Sequence, residues 1–504
     1  MTTTRRRMAI ATALFFLAAC TSNLRPLAPH ELGSVKKGQW LRIETADGQS
    51  VRIKDPTIDS TRLAGTTSKG ERREVMLASI RSVAVEKQDV SLVYAVPVLA
   101  VALWLGIGAA TAPEPPPSES CPFVYAYDGR DLVFEAEPYG AAIAPALRRT
   151  EWTPLPHLRE VDGEYRIRVA NELDETQHTD EARLLVVDHP AGTRVAADPG
   201  GQLHVFRDTA PPTRAIDEQG RDLTSVLRDA DGQAWLAEYA ATDARTRETL
   251  RDPLVLEFDK PTRARTARLL VKGATALWGA EVAREFLALQ GRRLPQWYAE
   301  LDRGGPTLLA LLGWYAREGL YVLPIEVDTA DGWRTRGTLF GSGPFAYKTT
   351  AYSLDVSDVE GETLRVRLAV PVNFWVLDSV GVDYGEQPPV EVQEVETSTV
   401  RDARGREARR LLAATDGAAL VMAEKGDYAD LVYPAPPRRP AQARTVFLKI
   451  SGHYDVHLRA EGEPQEALLQ RILREPGFTL RFAYDRHRER VARAQTTAGL
   501  AASR

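Results

Sequence analysis

Thr363–Tyr384 reads TLRVRLAVPVNFWVLDSVGVDY, and the alternation in this stretch sets the fold class. Leu364, Val366 and Leu368 alternate with Arg365 and Arg367, so an extended chain puts the aliphatic side chains on one face and the guanidinium groups on the other. Phe374 to Tyr384 supplies a second strand with more apolar character. Working back, Tyr321 to Val327, Trp333 to Leu339 and Tyr352 to Val356 read as strands, and so do Leu254 to Phe258 and Ala267 to Val271. Two segments between them follow helical spacing instead: Trp278 to Gln290, through Val282, Phe286 and Leu289, and Thr307 to Tyr321, through Leu308, Leu311, Leu312 and Tyr315. Both are too short and too interrupted to span a membrane. A mainly β domain over 251–385 with a helical insertion at 278–318 is the expectation.

The motifs LEFDKP, ARLLVKG, DGWRTRGTL, LRVRL and FWVLDSVGVDY together are similar to the galactose-binding-like jelly roll. That resemblance implies a two-sheet β-sandwich and carries no activity with it.

The 504 residues suit about two to four domains. Upstream, Trp40-Leu41-Arg42-Ile43-Glu44 and Val51-Arg52-Ile53 alternate around Asp47-Gly48, a hairpin signal. The segment VKKGQWLRIETADGQSVRI resembles SH3-like or Sm-like barrels, which implies a small β-barrel over 31–88. A proline-rich linker at 113–120 precedes a β-rich domain expected over 121–250, with Tyr165–Val169 as its clearest strand. Arg183 to Val187 is read as a shorter strand and Asn171 to Gln177 as a polar connection. A C-terminal β/α region is expected over 386–490, with a strand at Thr445 to Leu458 and an amphipathic helix at Gln465 to Arg474, then a disordered tail at 491–504.

The chain opens MTTTRRRMAIATALFFLAAC: three arginines, an apolar core and small residues before a cysteine, the order of a signal peptide. Leu17-Ala18-Ala19-Cys20 resembles the lipobox of bacterial lipoproteins, which implies cleavage and a lipid attached to Cys20. Cys121, the second of two cysteines, then has no intramolecular partner, so no disulfide framework is expected. Residues 90–112 carry no charge between Asp89 and Glu114 and are long enough for a ~30 Å hydrocarbon core. A membrane-associated segment is expected there, with a buried Ala-rich helix as the competing reading. A lipid anchor followed by a simple span would return 113–504 to the cytoplasm, whereas the basic flank before the run and Glu114 and Glu119 after it put the C-terminal side outside. A segment lying in one leaflet, packing against protein, or an uncleaved first segment would each reconcile the two. The pattern CPFVYAYDG…NELDETQHTDEARLLVVDHPAG resembles a group of bacterial envelope proteins to which no activity is attached.

With 64 Lys+Arg against 69 Asp+Glu, net charge −5, the chain lacks the basic excess that neutralises phosphates, so no nucleic acid is expected as a partner. Expected partners are the membrane lipid, through Cys20 and 90–112, and an envelope protein or polysaccharide; no cofactor is expected. The best ligand-like cluster is His453-Tyr454-Asp455-Val456-His457, where His453, Asp455 and His457 share a strand face, weak candidates for a metal against the simpler reading of a solvated face. His178, Asp180, Asp188 and His189 form a looser group, with His189-Pro190 read as opening a turn and Asp188 as capping it. Glu135 and Glu137 share a face as paired carboxylates would, Gly341-Ser342-Gly343 lacks the nucleophile-elbow spacing and reads as a turn, and Trp297, Tyr298, Trp314, Trp333 and Trp375 are either core or a sugar-stacking surface. With no catalytic motif found, the expected function is a lipid-anchored cell-envelope protein with a non-catalytic binding or scaffolding ectodomain outside the cytoplasm. The alternative is a carbohydrate-binding or carbohydrate-active (hydrolase) envelope protein.

Overall fold

A computed structural model describes residues 24–27, 35, 39–45, 49–58, 61–86, 122–238, 249–458 and 461–489. Met1–Cys20 with its lipobox, the 90–112 run, the 113–120 linker, Cys121 and the 491–504 tail lie outside the described residues. The chain is mainly β and divides into two compact units. Among the described residues no helix is long and apolar enough to cross a membrane.

The smaller unit is one antiparallel sheet of β1 (Leu24–Leu27), β2 (Trp40–Thr45), β3 (Ser50–Ile58), β4 (Arg62–Thr66), β5 (Arg72–Met76) and β6 (Ile80–Glu86), in the order β1-β6-β2-β3-β4-β5. The alternation read from the sequence is observed: Leu41, Ile43 and Ile53 are fully buried while Arg42 and Arg52 face out. The barrel expected over 31–88 is not closed, because β1 and β5 remain the two ends of the sheet. The β5 edge shows why pairing stops there. Arg72, Arg73 and Glu74 are exposed along it, and a charged edge resists a further strand.

The larger unit contains two sandwiches, one inserted into the other. The first begins with β7 (Phe123–Tyr127), β8 (Leu132–Ala136), β9 (Arg149–Pro154), β10 (Glu164–Ala170) and β11 (Glu175–Pro190). The chain then makes a hairpin, β12 (Arg194–Ala197) and β13 (Leu203–Phe206), and enters the second sandwich.

One sheet of that second sandwich has the order β14-β16-β21-β18-β19, formed by β14 (Arg214–Ile216), β16 (Arg251–Asp259), β18 (Val322–Thr329), β19 (Gly332–Phe340) and β21 (Thr363–Pro371). The other has the order β15-β22-β17-β20, formed by β15 (Trp235–Leu236), β17 (Thr266–Thr275), β20 (Lys348–Asp355) and β22 (Trp375–Asp383). Apart from the β18–β19 hairpin, the chain passes from one sheet to the other at each step. Leu364, Val366 and Leu368 are fully buried, while Arg365 and Arg367 pair across the outer face with Asp328 and Glu326. Between β17 and β18 lie α1 (Leu277–Ala288), α2 (Leu294–Asp302) and α3 (Pro306–Glu318), where the helical insertion was expected.

The chain then returns to the first sandwich through β23 (Glu391–Val395), β24 (Thr399–Asp402), β25 (Leu420–Met422), β26 (Tyr428–Pro434) and β27 (Gln442–Val456), and ends the described part with α4 (Glu466–Arg474) and helical residues 478–489. Its sheets have the orders β24-β26-β10-β7-β8 and β23-β11-β27-β9, with β25 added beside β11. Strand pairing therefore runs across the sequential divisions drawn at 250 and 385. The long β11–β27 ladder, from Glu175↔Val456 to Pro190↔Gln442, is the spine of this sandwich, broken once by a bulge between Thr179 and Glu181. The segment read as a polar connection is thus partly strand. Glu175, Gln177 and Thr179 are buried polar residues, and Gln177 Nε2 donates to Glu175 Oε1 at 2.7 Å, so burial costs less than their composition suggests. One continuous apolar core joins both sandwiches and the helices.

Candidate functional site

Where the two sandwiches and the helices meet, the core leaves a cavity of about 210 Å³. The first sandwich contributes the loop Gly140–Ile143, Arg149 at the start of β9, and Tyr454 and Val456 at the end of β27. The insertion contributes α1, Leu312 and Tyr315 of α3, and the turn Phe340–Pro344 after β19. Its lining includes the small residues Gly279, Ala280 and Ala283 of α1 and Gly140, Ala141 and Ala142 of the loop. For scale, an engineered apolar cavity of about 150 Å³ holds benzene. Leu312 and Phe340 of its lining are 45% and 39% exposed.

The walls are held by backbone geometry that local sequence does not disclose. Tyr139 and Ala141 both have positive φ, 44° and 66°, an unusual conformation for non-glycine residues. Two bonds fix it: the Tyr454 hydroxyl accepts from the Ala141 N–H at 2.9 Å, and the buried Tyr139 hydroxyl lies 2.8 Å from Thr179 Oγ1. The turn Gly341-Ser342-Gly343 passes directly over Glu137, and a side chain at 343 would collide with the Glu137 carboxyl. Glu137 Oε2 accepts from the Phe345 N–H at 2.7 Å, its Oε1 has no hydrogen-bond partner, and burial pushes its pKa up to about 8. At neutral pH it is a protonated acid packed behind the cavity wall. Glu135 does not join it, because it pairs with His157 at 2.9 Å; the two carboxyls have separate surroundings.

Arg149 and Arg284 are the charged residues of the cavity lining. One of the Arg149 Nη atoms donates to Glu151 and, at 3.1 Å, to the Gly341 carbonyl, while its buried Nε has no partner. Lys348 also bonds Glu151, at 2.5 Å, and these two cations hold the Glu151 carboxyl ionised below the usual range in spite of its burial. Arg149 and Phe340 also line a second cavity of about 150 Å³, beside Trp152, Asp198 and Tyr352.

His453, Asp455 and His457 do lie along one strand, but each is drawn to a neighbour on or beside β11. The His453 ring stacks on His178, Asp455 Oδ2 lies 3.2 Å from His178 Nε2, and His457 bonds Asp174 at 3.0 Å and Thr176 at 2.9 Å. Alternate strand residues are ~6.6 Å apart, so three of them converge on one ion only if the strand bends. Among the described residues no three His, Cys, Asp or Glu side chains are grouped to hold a metal. His178, Asp180, Asp188 and His189 are strung along β11, and the turn read at His189-Pro190 follows directly, with the Thr193 N–H donating to the Pro190 carbonyl at 3.2 Å. Asp188 makes a two-pronged bond to Arg444 at 2.7 and 2.8 Å, and His189 bridges Thr193 and Thr445.

Three of the five aromatics singled out in the second half resolve as core. Trp297, Trp314 and Trp375 are buried; Trp314 donates to Thr479 at 2.8 Å and Trp375 to the Leu320 carbonyl at 2.7 Å. Tyr298 packs edge-on against Trp297, and Arg367 covers the Trp333 ring at 4.5 Å. The cavity itself escaped sequence reasoning, and the one local signal for it was the density of small residues in Gly140–Ala144 and on α1.

No protein-family model matches the chain, and no curated protein matches its sequence.

Proposed function

We propose that this chain is a lipid-anchored cell-envelope protein whose larger unit is a non-catalytic binding module for a small, mainly apolar molecule. The observation that carries this reading is the cavity of about 210 Å³ at the junction of the two sandwiches, lined mostly by apolar side chains. Ligand sites favour such junctions, and their walls are mostly apolar with a few placed polar groups. The anchor in this reading is the acylated Cys20, with 90–112 as a second membrane attachment and the larger unit outside the cytoplasm. The inserted sandwich, with sheets linked by repeated crossings, is read as jelly-roll-like.

The test uses the neutral fluorescent probe N-phenyl-1-naphthylamine and the variant Ala283→Phe, which fills the cavity from α1. The purified protein should bind the probe saturably and the variant should bind it at least about tenfold more weakly, with unchanged circular dichroism. Equal binding by both proteins would remove the cavity as the site.

A further inference from the structure

We infer that the cavity selects an amphiphile with an anionic carboxylate head, such as a single-chain fatty acid, and that Arg149 is the residue that reads the head group. This rests on the binding reading above and specifies its ligand.

The selection follows from which polar groups remain available. Two arginines, Arg149 and Arg284, line the cavity, and among the described residues no carboxylate does. Three hydroxyls on its walls are engaged with backbone. Tyr321 donates to the Gly279 carbonyl, Thr275 donates to the Ser342 carbonyl, and Tyr454 accepts from Ala141. Arg149 differs. Its single carboxylate neighbour, Glu151, is shared with Lys348, so two cations face one anion and one positive charge is left over. The planar guanidinium matches two carboxylate oxygens in a way an ammonium does not. A neutral apolar molecule would fill the same walls and leave the surplus charge uncompensated.

Decanoate and decanol share a chain and differ in the head, so they separate this inference from the broader one. Calorimetric titration of the full-length protein should show decanoate binding about tenfold or more tighter than decanol at neutral pH. Arg149→Met should bring decanoate down to the level of decanol. Arg149→Lys keeps the charge and the Glu151 pair, and should retain only part of the preference; it serves where the methionine variant does not fold. Equal binding of both compounds by the parent protein would overturn the anionic selection and leave the apolar cavity standing. Binding of neither, together with failure of the naphthylamine probe, would overturn the cavity reading itself. A preference that survives both substitutions would place the head group elsewhere and overturn the role of Arg149.

Discussion

The imidazoles of His178 and His453, cross-strand partners on β11 and β27, lie stacked with ring centroids 4.5 Å apart and planes within 2° of parallel. Two imidazolium ions at that distance repel, so at least one ring stays neutral in the folded protein. Burial first, and the neighbouring His178 second, lower the His453 pKa to about 4; Asp455 and Asp180 oppose this and Arg148 reinforces it. The unfolded chain takes up its proton near 6.5, so between about 6.5 and 4 it binds more protons than the folded one. Stability should therefore fall as pH drops through that window. His453→Gln should flatten this part of the profile, measured as thermal midpoint against pH. A variant as acid-sensitive as the parent would assign the effect to another group.

Asp188 and Arg444 are also cross-strand partners, and each side chain is only 3% exposed. The two-pronged bond to Arg444 holds the Asp188 carboxyl below its usual range, and Arg444 further donates to the Pro436 and Pro437 carbonyls. Arg444→Met leaves a buried carboxylate without its counter-charge, which costs about 3–5 kcal/mol in comparable sites. The double variant with Asp188→Asn should be less destabilised than the single one. Chemical denaturation of the parent, the two single variants and the double variant measures the coupling, and simple additivity would show that the pair contributes no more than its separate parts.

Cys20→Ser tests the anchor independently of anything in the larger unit. The parent chain should label with a radioactive fatty acid and sediment with membranes. The variant should lose the label, and any membrane association it retains would come from 90–112. A variant labelled as strongly as the parent would exclude the lipobox reading.

How far the sequence disclosed the fold depends on the range of the interactions involved. The alternation at Leu364–Leu368 and Leu41–Ile43 is local, and the structure buries those residues as read. The helical insertion was legible for the same reason. The partnership of β11 with β27 joins positions such as His178 and His453 that are far apart in the chain, and no local pattern reports it. Its polar end misled, because Glu175 and Gln177 look solvent-facing until their hydrogen bonds are seen. The cavity was less legible still. Its walls come from several separate segments, and the positive φ of Tyr139 and Ala141 leaves no mark in composition. The candidate metal residues were chosen by periodicity along β27, whereas their actual partners are set by β11 beside them.

Glu137 gives the clearest pH signature on the alkaline side. Burial raises its pKa from 4.5 to about 8, so the folded protein keeps a proton that the unfolded chain releases near 4.5. In that interval the folded state binds more protons, and its stability falls as pH rises, with a slope of at most about 1.4 kcal/mol per pH unit for one group. The contribution is complete below 4.5 and is lost on passing 8. Glu137→Gln keeps the shape and the acceptor for the Phe345 N–H but cannot ionise. It should unfold with a flatter profile from pH 5 to 9 and be more stable than the parent at the alkaline end. Gly343→Ala acts on the same contact from the other side. The added methyl meets the Glu137 carboxyl and should cost about 1–3 kcal/mol at any pH. If the Glu137→Gln protein kept the parent's full alkaline loss, the proton would be held by a different group.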